Sequence, residues 1–174
     1  FSLVHDDIED RSETRRGRPT LWSRWGLPQA LNTGDALFAL AHLSLHRLSA
    51  LGTPPGVLVE VQHELTSACL GLTCGQHLDM AFESLATVST DAYAMMVGGK
   101  TAALIAAAAA MGARVARAPA PRIEAMTEFG RQLGLAFQMQ DDILGIWGDP
   151  AVTGKPAGDD LLSRKKSLPT LLGL

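Results

Sequence analysis

The stretch LVHDDIEDRSETRRGRPT, residues 3 to 20, places an acidic cluster directly before a basic one. Asp6 and Asp10 are four residues apart, so both carboxylates would project from the same face of a helix. Like charges at this spacing repel each other and weaken the helix, and a bound cation, a bound anion near the arginines, or both would offset that cost. Mg²⁺ takes carboxylate oxygens, water and phosphate oxygens as its ligands. The stretch therefore indicates a binding site for ions.

A second pair of neighbouring carboxylates, Asp141 and Asp142, lies in QMQDDILGIWGD, where we predict the C-terminal half of a long helix. Two helical acid clusters that are distant in sequence can face each other across the cavity of a helix bundle. Either cluster alone is explained equally well by a solvated helix end. Phosphate-binding side chains favour a site for a metal-bridged diphosphate, since arginine binds phosphate as a bidentate fork and lysine as a point charge. The candidates are Arg15, Arg16, Lys100 and Lys155.

Helices are predicted to carry these residues, because apolar side chains recur at helical spacing and no segment makes a convincing strand. The predicted helices cover about 1–11, 21–25, 32–51, 57–82, 91–113 and 122–147. GTPPG at 52–56 and RAPAP at 117–121 separate helices, and STD at 89–91 supplies an N-cap. Gly98-Gly99 is a candidate bend, and the alanines at 102–110 indicate tight helix packing. The fold class is all-α.

The composition is that of a globular domain with a sizeable core: 174 residues, 47% hydrophobic and 19% charged, with a net charge of −3. The acidic balance argues against a general nucleic-acid-binding protein. The longest apolar run, 102–113, is too short to cross a bilayer. Cys69 and Cys74 form neither a disulfide framework nor a CxxC pair, so we expect reduced thiols and a cytoplasmic location.

Two further patterns suggest other chemistry only superficially. GGKT at 98–101 resembles the end of a P-loop, but the first glycine of that motif and the strand before it are missing. His42 and His46 have the i, i+4 spacing of zinc ligands, yet no glutamate follows His42 as it does in HExxH. We interpret the histidines as core or surface residues and reject the P-loop.

The motifs of the chain, taken in order, resemble those of the trans-prenyltransferases, the polyprenyl diphosphate synthase family, and are most similar to those of geranylgeranyl diphosphate synthases. DDIED at 6–10 matches the first aspartate-rich motif of the family, DDxxD, and RRGRPT at 15–20 matches the arginines after it. The remaining motifs follow in family order: NTGDALF at 32–38, GQHLDM at 75–80, KTAAL at 100–104, FQMQDDILG at 137–145 and GKPAGDDL at 154–161. The resemblance implies an isoprenoid-synthase-type helical bundle around a central cavity and a Mg²⁺-dependent transferase.

By this resemblance, the aspartates hold metal ions. Asp6 and Asp10 would bind Mg²⁺ that holds an allylic diphosphate, with Asp7 in support. Asp141 would bind a further Mg²⁺, assisted by Asp142. Mn²⁺ is expected to be able to substitute for Mg²⁺.

The resemblance also implies two substrates, an allylic diphosphate contacted by Arg15 and isopentenyl diphosphate contacted by Arg16. Thr101 and Gln138 would present oxygens near the developing carbocation. The leaving diphosphate would be neutralised by three lysines: Lys100, Lys155 and Lys165. Two residues of a neighbouring helix would face the site: Gln76 and Asp79.

The chain departs from the family pattern at Gly145, which replaces the last aspartate of the second DDxxD motif and so affects a secondary metal contact. We expect residues 1–174 to be the central part of a single polyprenyl synthetase domain that lacks its N-terminal and C-terminal helices. A terpene cyclase is the alternative enzyme, but RRGRPT and GKPAGDDL favour elongation, because a cyclase has no second diphosphate to bind. A non-catalytic subunit of a heteromeric synthase would be expected to lose the first aspartate motif, which is present here.

Product length is predicted from the residues one helical turn before Asp6. At a rise of about 1.5 Å per residue, Phe1 lies roughly 7.5 Å and Ser2 roughly 6 Å below Asp6. Ser2 is too small to block a pocket, and Phe1 is rotated away, so a C20 product is expected. The resemblance agrees, since farnesyl-type members often carry a bulky residue at the position of Ser2 or an insertion in the first motif. A homodimer is also expected.

Overall fold

The structure is a computed structural model that describes residues 1–150, 158–162 and 165–173. The predicted site residue Lys155 lies outside these ranges. The chain divides into two compact units, Phe1–Thr53 and Pro54–Leu174. Both are built mainly from helices, which confirms the all-α class predicted from the sequence.

The first unit contains three helices and a short hairpin. Helix α1 covers Ser2–Glu9, α2 covers Leu21–Trp25 and α3 covers Leu27–Ala50. Between α1 and α2, strand β1 (Thr14–Arg15) pairs antiparallel with β2 (Arg18–Pro19). The expectation that the chain contains no strand is therefore wrong at this place.

The hairpin turns at Arg16 and Gly17, whose φ angles are 52° and 69°. A two-residue type I′ turn needs positive φ at both central residues. Behind the hairpin, the buried Thr20 donates a hydrogen bond from Oγ1 to the carbonyl of Ser12 (2.8 Å), and the indole of Trp22 donates to the same oxygen (2.8 Å). These bonds fix the position of the loop between α1 and α2.

The second unit is a helical bundle with a π-helical turn inside its second long helical stretch. Its first helices are α4 (Pro55–Glu83) and α5 (Thr90–Val97), and the π turn Gly98–Ala102 connects α5 to α6 (Ala103–Val115). The further helices among the described residues of this unit are α7 (Ala120–Trp147), α8 (Asp159–Leu162) and α9 (Leu168–Leu172). As predicted, Ser89 caps α5, since its Oγ accepts a hydrogen bond from the amide of Ala92 at 3.1 Å.

The π turn lies where a bend was expected from Gly98-Gly99. Because a π turn holds one more residue than an α turn, it changes which side chains face a neighbouring helix, and such turns are frequent at functional sites. Here the turn contains Lys100 and Thr101.

Glycines let the helices of the second unit approach each other closely. A Cβ atom on Gly75 would lie 2.1 Å from the backbone nitrogen of Lys100, and one on Gly134 would lie 2.5 Å from the Cα of Ala102. Ala102, Ala107 and Ala110 are buried, so the alanine run packs tightly against neighbouring helices, as predicted. A hydrophobic core beside the π turn consists of Phe82, Tyr93, Met96 and Val97.

One helical stretch among the described residues is long and apolar enough to cross a membrane. It is Thr90–Val115, 26 residues through the π turn, and it is longer than the uninterrupted apolar run 102–113. The core helix of a globular bundle passes the same test, and this stretch packs against α4 and α7 within its unit. That no segment spans a membrane remains a prediction.

Candidate functional site

In the first unit, one arginine holds two carboxylates of the first aspartate motif. Arg15 donates from Nε to Oδ1 of Asp7 (2.6 Å) and from Nη2 to Oδ2 of Asp6 (2.6 Å). Charge-assisted bonds of this length are strong. The hairpin makes them possible, since it brings Arg15 back toward α1. The mutual repulsion of the acidic cluster, evident from the sequence, is thus offset inside the protein.

Asp7 is the most buried member of this cluster, at 7% exposed. Burial raises the pKa of its carboxyl group, and the Arg15 guanidinium, which acts in the opposite direction, offsets this effect only in part. Asp10 is half-buried and forms the C-terminal cap of α1. Arg16 lies exposed at the tip of the hairpin.

The residues predicted to set product length lie at the start of α1. Ser2 and Phe1 are both half-buried. The ring of Phe1 makes an edge contact with Phe38 of α3, with 5.4 Å between the ring centroids. Phe38 in turn contacts the ring of His42 at 4.7 Å. His42 therefore takes part in aromatic packing.

In the second unit, the π turn presents its two polar side chains to partners on different helices. The ammonium group of Lys100 forms an ion pair with Asp79 of α4. Thr101 donates a hydrogen bond from Oγ1 to Oε1 of Gln138 on α7 (2.7 Å). Four residues from three separate sequence motifs are thereby brought to one place.

Asp142 lies at the centre of a buried hydrogen-bond network. Its Oδ1 accepts from Nε2 of Gln138 (3.0 Å), and its Oδ2 accepts from the hydroxyl of Tyr93 (2.6 Å) and from the backbone amide of Leu168 (2.7 Å). Asp142 is 6% exposed and Tyr93 only 2%. Burial, together with the hydrogen bond to Asp142 and the nearby negative charges, raises the pKa of Tyr93 far above its usual range.

A cavity of about 50 Å³ lies beside this network. Pockets that enclose a drug-sized ligand measure roughly 300–1,000 Å³, so this space suits an ion or a small polar head group. Its walls combine acidic, basic and amide side chains. The residues that line it are Asp79, Tyr93, Met96, Lys100, Gln138, Asp141, Asp142, Lys165, Lys166 and Ser167.

The donor atoms available for a metal are hard oxygens. Within the described ranges, no three histidine, cysteine, aspartate or glutamate side chains are grouped closely enough to hold a metal by themselves. Mg²⁺ commonly takes one or two protein carboxylates and completes its shell with substrate phosphates and water. Asp141, exposed on the cavity wall, is a donor of this kind. The residues present therefore fit a Mg²⁺ ion that binds together with a diphosphate.

Sequence reasoning missed Tyr93, Lys166 and the amide of Leu168. A signal for Tyr93 existed, because it is the only tyrosine of the chain and precedes Lys100 by two helical turns. The contact of Leu168 is made by the backbone, which no side-chain motif can reveal. Gln76, which was expected to face the site, is buried, and its Nε2 has no hydrogen-bond partner among the described residues.

Known proteins similar to this chain are prenyl diphosphate synthases. A geranylgeranyl diphosphate synthase of Mycobacterium tuberculosis is 48% identical over 174 residues, which is 100% of this chain and 49% of that protein. A (2E,6E)-farnesyl diphosphate synthase of Mycobacterium bovis is 50% identical over 169 residues, or 97% of this chain and 46% of that protein. The chain thus spans about half the length of the curated relatives it matches.

Solved structures give the same result. A geranylgeranyl pyrophosphate synthetase from Pyrococcus horikoshii matches with a TM-score of 0.89 and 38% identity, over 98% of this chain and 51% of that one. A geranylgeranyl pyrophosphate synthase from Corynebacterium glutamicum, complexed with isoprenyl diphosphate and magnesium, matches with a TM-score of 0.86 and 33% identity, over 98% and 52%. The sequence profile described as Polyprenyl synthetase matches residues 1–174. The chain belongs to the polyprenyl synthetase family.

Proposed function

We propose that the protein containing this chain condenses an allylic diphosphate with isopentenyl diphosphate and releases inorganic diphosphate. The carbon–oxygen bond of the allylic substrate breaks, and its electron pair leaves with the diphosphate. The double bond of isopentenyl diphosphate then supplies the pair for the new carbon–carbon bond, and loss of a proton restores a double bond. The observation that carries the proposal is the convergence of Lys100, Gln138, Asp141 and Lys165 on one polar cavity.

Residues of the second unit suit the departure of a diphosphate. Lys100 and Lys165 place positive charge at the cavity, where a leaving anion would be stabilised. Thr101 gives its hydroxyl hydrogen to Gln138, so its oxygen offers lone pairs to an electron-poor carbon. Lys155 is proposed to add a further positive charge, by the resemblance alone. Mg²⁺, when bound, would polarise the diphosphate oxygens as a Lewis acid.

Residues of the first unit suit diphosphate binding by exchange of partners. Asp6 and Asp10 are proposed to hold Mg²⁺ with the support of Asp7, while Arg15 and Arg16 bind the two diphosphates. Arg15 is bound to Asp6 and Asp7 in the structure. A metal that binds to Oδ2 of Asp6 would displace Arg15 from that oxygen, and a diphosphate offers the guanidinium a replacement of the same geometry.

The product proposed is C20, and the protein is proposed to act as a cytoplasmic homodimer. The half-buried Ser2 supports the product length, because its side chain is too small to block a pocket, and Phe1 is held against Phe38. Exposed apolar side chains on α4 and α5, such as Val59 (69% exposed), Leu70 (67%) and Met95 (70%), support association with a second copy. Relatives named for C15 and for C20 products are similarly close in sequence, so identity alone does not decide the length.

Incubation of the complete protein with Mg²⁺, an allylic diphosphate and isopentenyl diphosphate tests the proposal. A longer prenyl diphosphate is the expected product. A cyclic hydrocarbon would favour the cyclase alternative, and no product would favour the non-catalytic subunit. Asp6→Ala and Asp141→Ala should each lower the rate by orders of magnitude, because a lost metal ligand costs several kcal/mol of transition-state stabilisation. Near-normal turnover in Asp6→Ala would remove that residue from the metal site.

A further inference from the structure

We propose that Tyr93 is a positioning residue, which holds Asp142 as a clasp between α7 and the lysine-bearing segment 165–167. The Asp142 clasp consists of Tyr93, Gln138, Asp142 and the backbone amide of Leu168. The contacts of the clasp do not depend on the function of the protein, whereas their effect on diphosphate binding rests on the proposed function. In this view Asp142 is occupied by protein donors, and the neighbouring Asp141 is the carboxylate available to ligands.

The first observation that supports the proposal is that protein donors occupy the Asp142 carboxylate. Its two oxygens accept three hydrogen bonds from the protein, at 2.6, 2.7 and 3.0 Å. The donors come from three elements: α5, α7 and the start of α9. A buried carboxylate that meets several donors is well satisfied where it is. It therefore connects these elements and has little capacity left for another ligand.

The bond to Leu168 ties down the segment before α9. Leu168 is the first residue of that helix, and the amides of a first helical turn lack partners within the helix. Asp142 supplies the missing acceptor. Leu168 and Leu171 also pack against the core that contains Tyr93. Lys165, Lys166 and Ser167 immediately precede this anchor and line the cavity, so the anchor determines where the two ammonium groups can reach.

The bond to Gln138 fixes the direction of its amide. An ionised carboxylate can only accept hydrogen bonds, so the side of the Gln138 amide that faces Asp142 must be the NH₂ group. Its oxygen is then left to accept from Thr101. The clasp consequently makes the Thr101 hydroxyl donate its hydrogen bond to Gln138. The hydroxyl oxygen can then act toward other groups only as an acceptor, through its lone pairs.

Hydrogen exchange of the complete protein tests the clasp without any activity assay. Tyr93→Phe keeps the ring and removes one donor to Asp142, and it should speed amide exchange in residues 165–172 roughly three- to ten-fold, in line with the loss of one buried hydrogen bond. Phe82→Leu is the control, since it loosens the same core and removes no polar contact. Faster exchange confined to 165–172 in Tyr93→Phe supports the proposal. Unchanged exchange there, or the same diffuse increase as in Phe82→Leu, would overturn it.

Ligand binding and kinetics test the positioning role. In Tyr93→Phe, the Kd for inorganic diphosphate with Mg²⁺ and the KM for the allylic substrate should each rise roughly three- to ten-fold, while kcat stays within about two-fold, because Gln138 keeps its partner. Asp142→Asn, which frees the amide of Gln138 to turn over, should also lower kcat. A Tyr93→Phe protein that loses kcat with an unchanged Kd would refute positioning. If the wild-type protein transfers no prenyl group, but Tyr93→Phe shows the expected increase in exchange, the clasp is supported and the proposed function is refuted.

Discussion

Replacing Gly75 by alanine should damage the second unit at the place where it positions Lys100. Gly75 lies in the interior of α4, directly against the π turn. A Cβ atom there would lie 2.1 Å from the backbone nitrogen of Lys100, and 2.7 Å from the carbonyl carbon of Gly99. These atoms belong to the backbone of a packed helix, so no side chain can rotate away to make space.

The magnitude follows from two opposing effects. Contacts between carbon and other heavy atoms are normally close to 3.5 Å, so α4 and the π turn would have to separate by about 1.4 Å. Overpacking of this kind costs about 1–3 kcal/mol, occasionally more, and a clash between two backbones belongs at the upper end. Alanine in a helix interior is favoured over glycine by about 1 kcal/mol. We expect a net loss of about 2 kcal/mol, together with a stretched ion pair between Lys100 and Asp79.

Urea unfolding of the complete protein measures this loss, and Gly112→Ala is its matched control. Gly112 also lies inside a helix, α6, but a Cβ atom there meets nothing within 4 Å. The control should therefore gain about 0.5–1 kcal/mol from the lower backbone entropy of its unfolded state. If Gly75→Ala is as stable as Gly112→Ala, the close contact between α4 and the π turn does not exist as described.

Three further predictions concern titration, product length and assembly. The folded protein keeps the Tyr93 proton that the unfolded chain releases near pH 10, so the free energy of unfolding should fall by about 1.4 kcal/mol per pH unit above pH 10. Titration of tyrosinate absorbance in the wild-type protein, with Tyr93→Phe as the blank, checks this. Ionisation of Tyr93 near pH 10 in the folded protein would contradict it. Phe1→Ala should lengthen the prenyl product and Ser2→Phe should shorten it to C15, as read by chromatography of the products; if both keep the wild-type product, the pocket floor lies elsewhere. Light scattering of the complete protein at micromolar concentration should give the mass of a dimer, and a monomer mass would refute the proposed assembly.

The positions of the long helices were predictable because helix-breaking residues mark several of their ends. Proline and glycine breakers stand at 52–56 and 117–121, and the observed helices end and begin there. The start of α3 was predicted five residues late, at residue 32. Pro28 does not prevent the earlier start, because a proline in the first turn of a helix loses no hydrogen bond, since that amide has no partner there.

The hairpin was not predictable from local sequence patterns, and the glycine pair at 98–99 indicated a bend but not a π turn. The hairpin places a non-glycine residue, Arg16, at positive φ, which side chains normally avoid. It persists because its flanks are held by the bonds of Arg15 to α1 and of Thr20 to the loop before it. The π turn depends on the close approach of Gly75 on another helix. In both places tertiary contacts override local preference.

The residue types of the site were evident in the sequence, but their pairing was not. Thr101 and Gln138 are 37 residues apart, and Tyr93 and Asp142 are 49 residues apart, so only the packing of α5 and the π turn on α7 brings them together. In the sequence, Asp141 and Asp142 form one pair of neighbouring acidic residues. The structure separates them, since adjacent residues of a helix point about 100° apart: one is exposed on the cavity wall and the other is buried among donors.

Three carboxylates of the candidate site residues form ion pairs with cationic side chains of the protein itself. Arg15 neutralises Asp6 and Asp7, and Lys100 neutralises Asp79. Isolated buried charges are costly, and such pairs keep the carboxylates and the cations stable before any ligand arrives. Under the proposed function, binding of a metal and a diphosphate would be an exchange of partners, in which carboxylates pass to the metal and cations to the phosphate. The affinity for the ligand would then reflect only the difference between the two sets of contacts, which would favour release of the diphosphate in the proposed reaction.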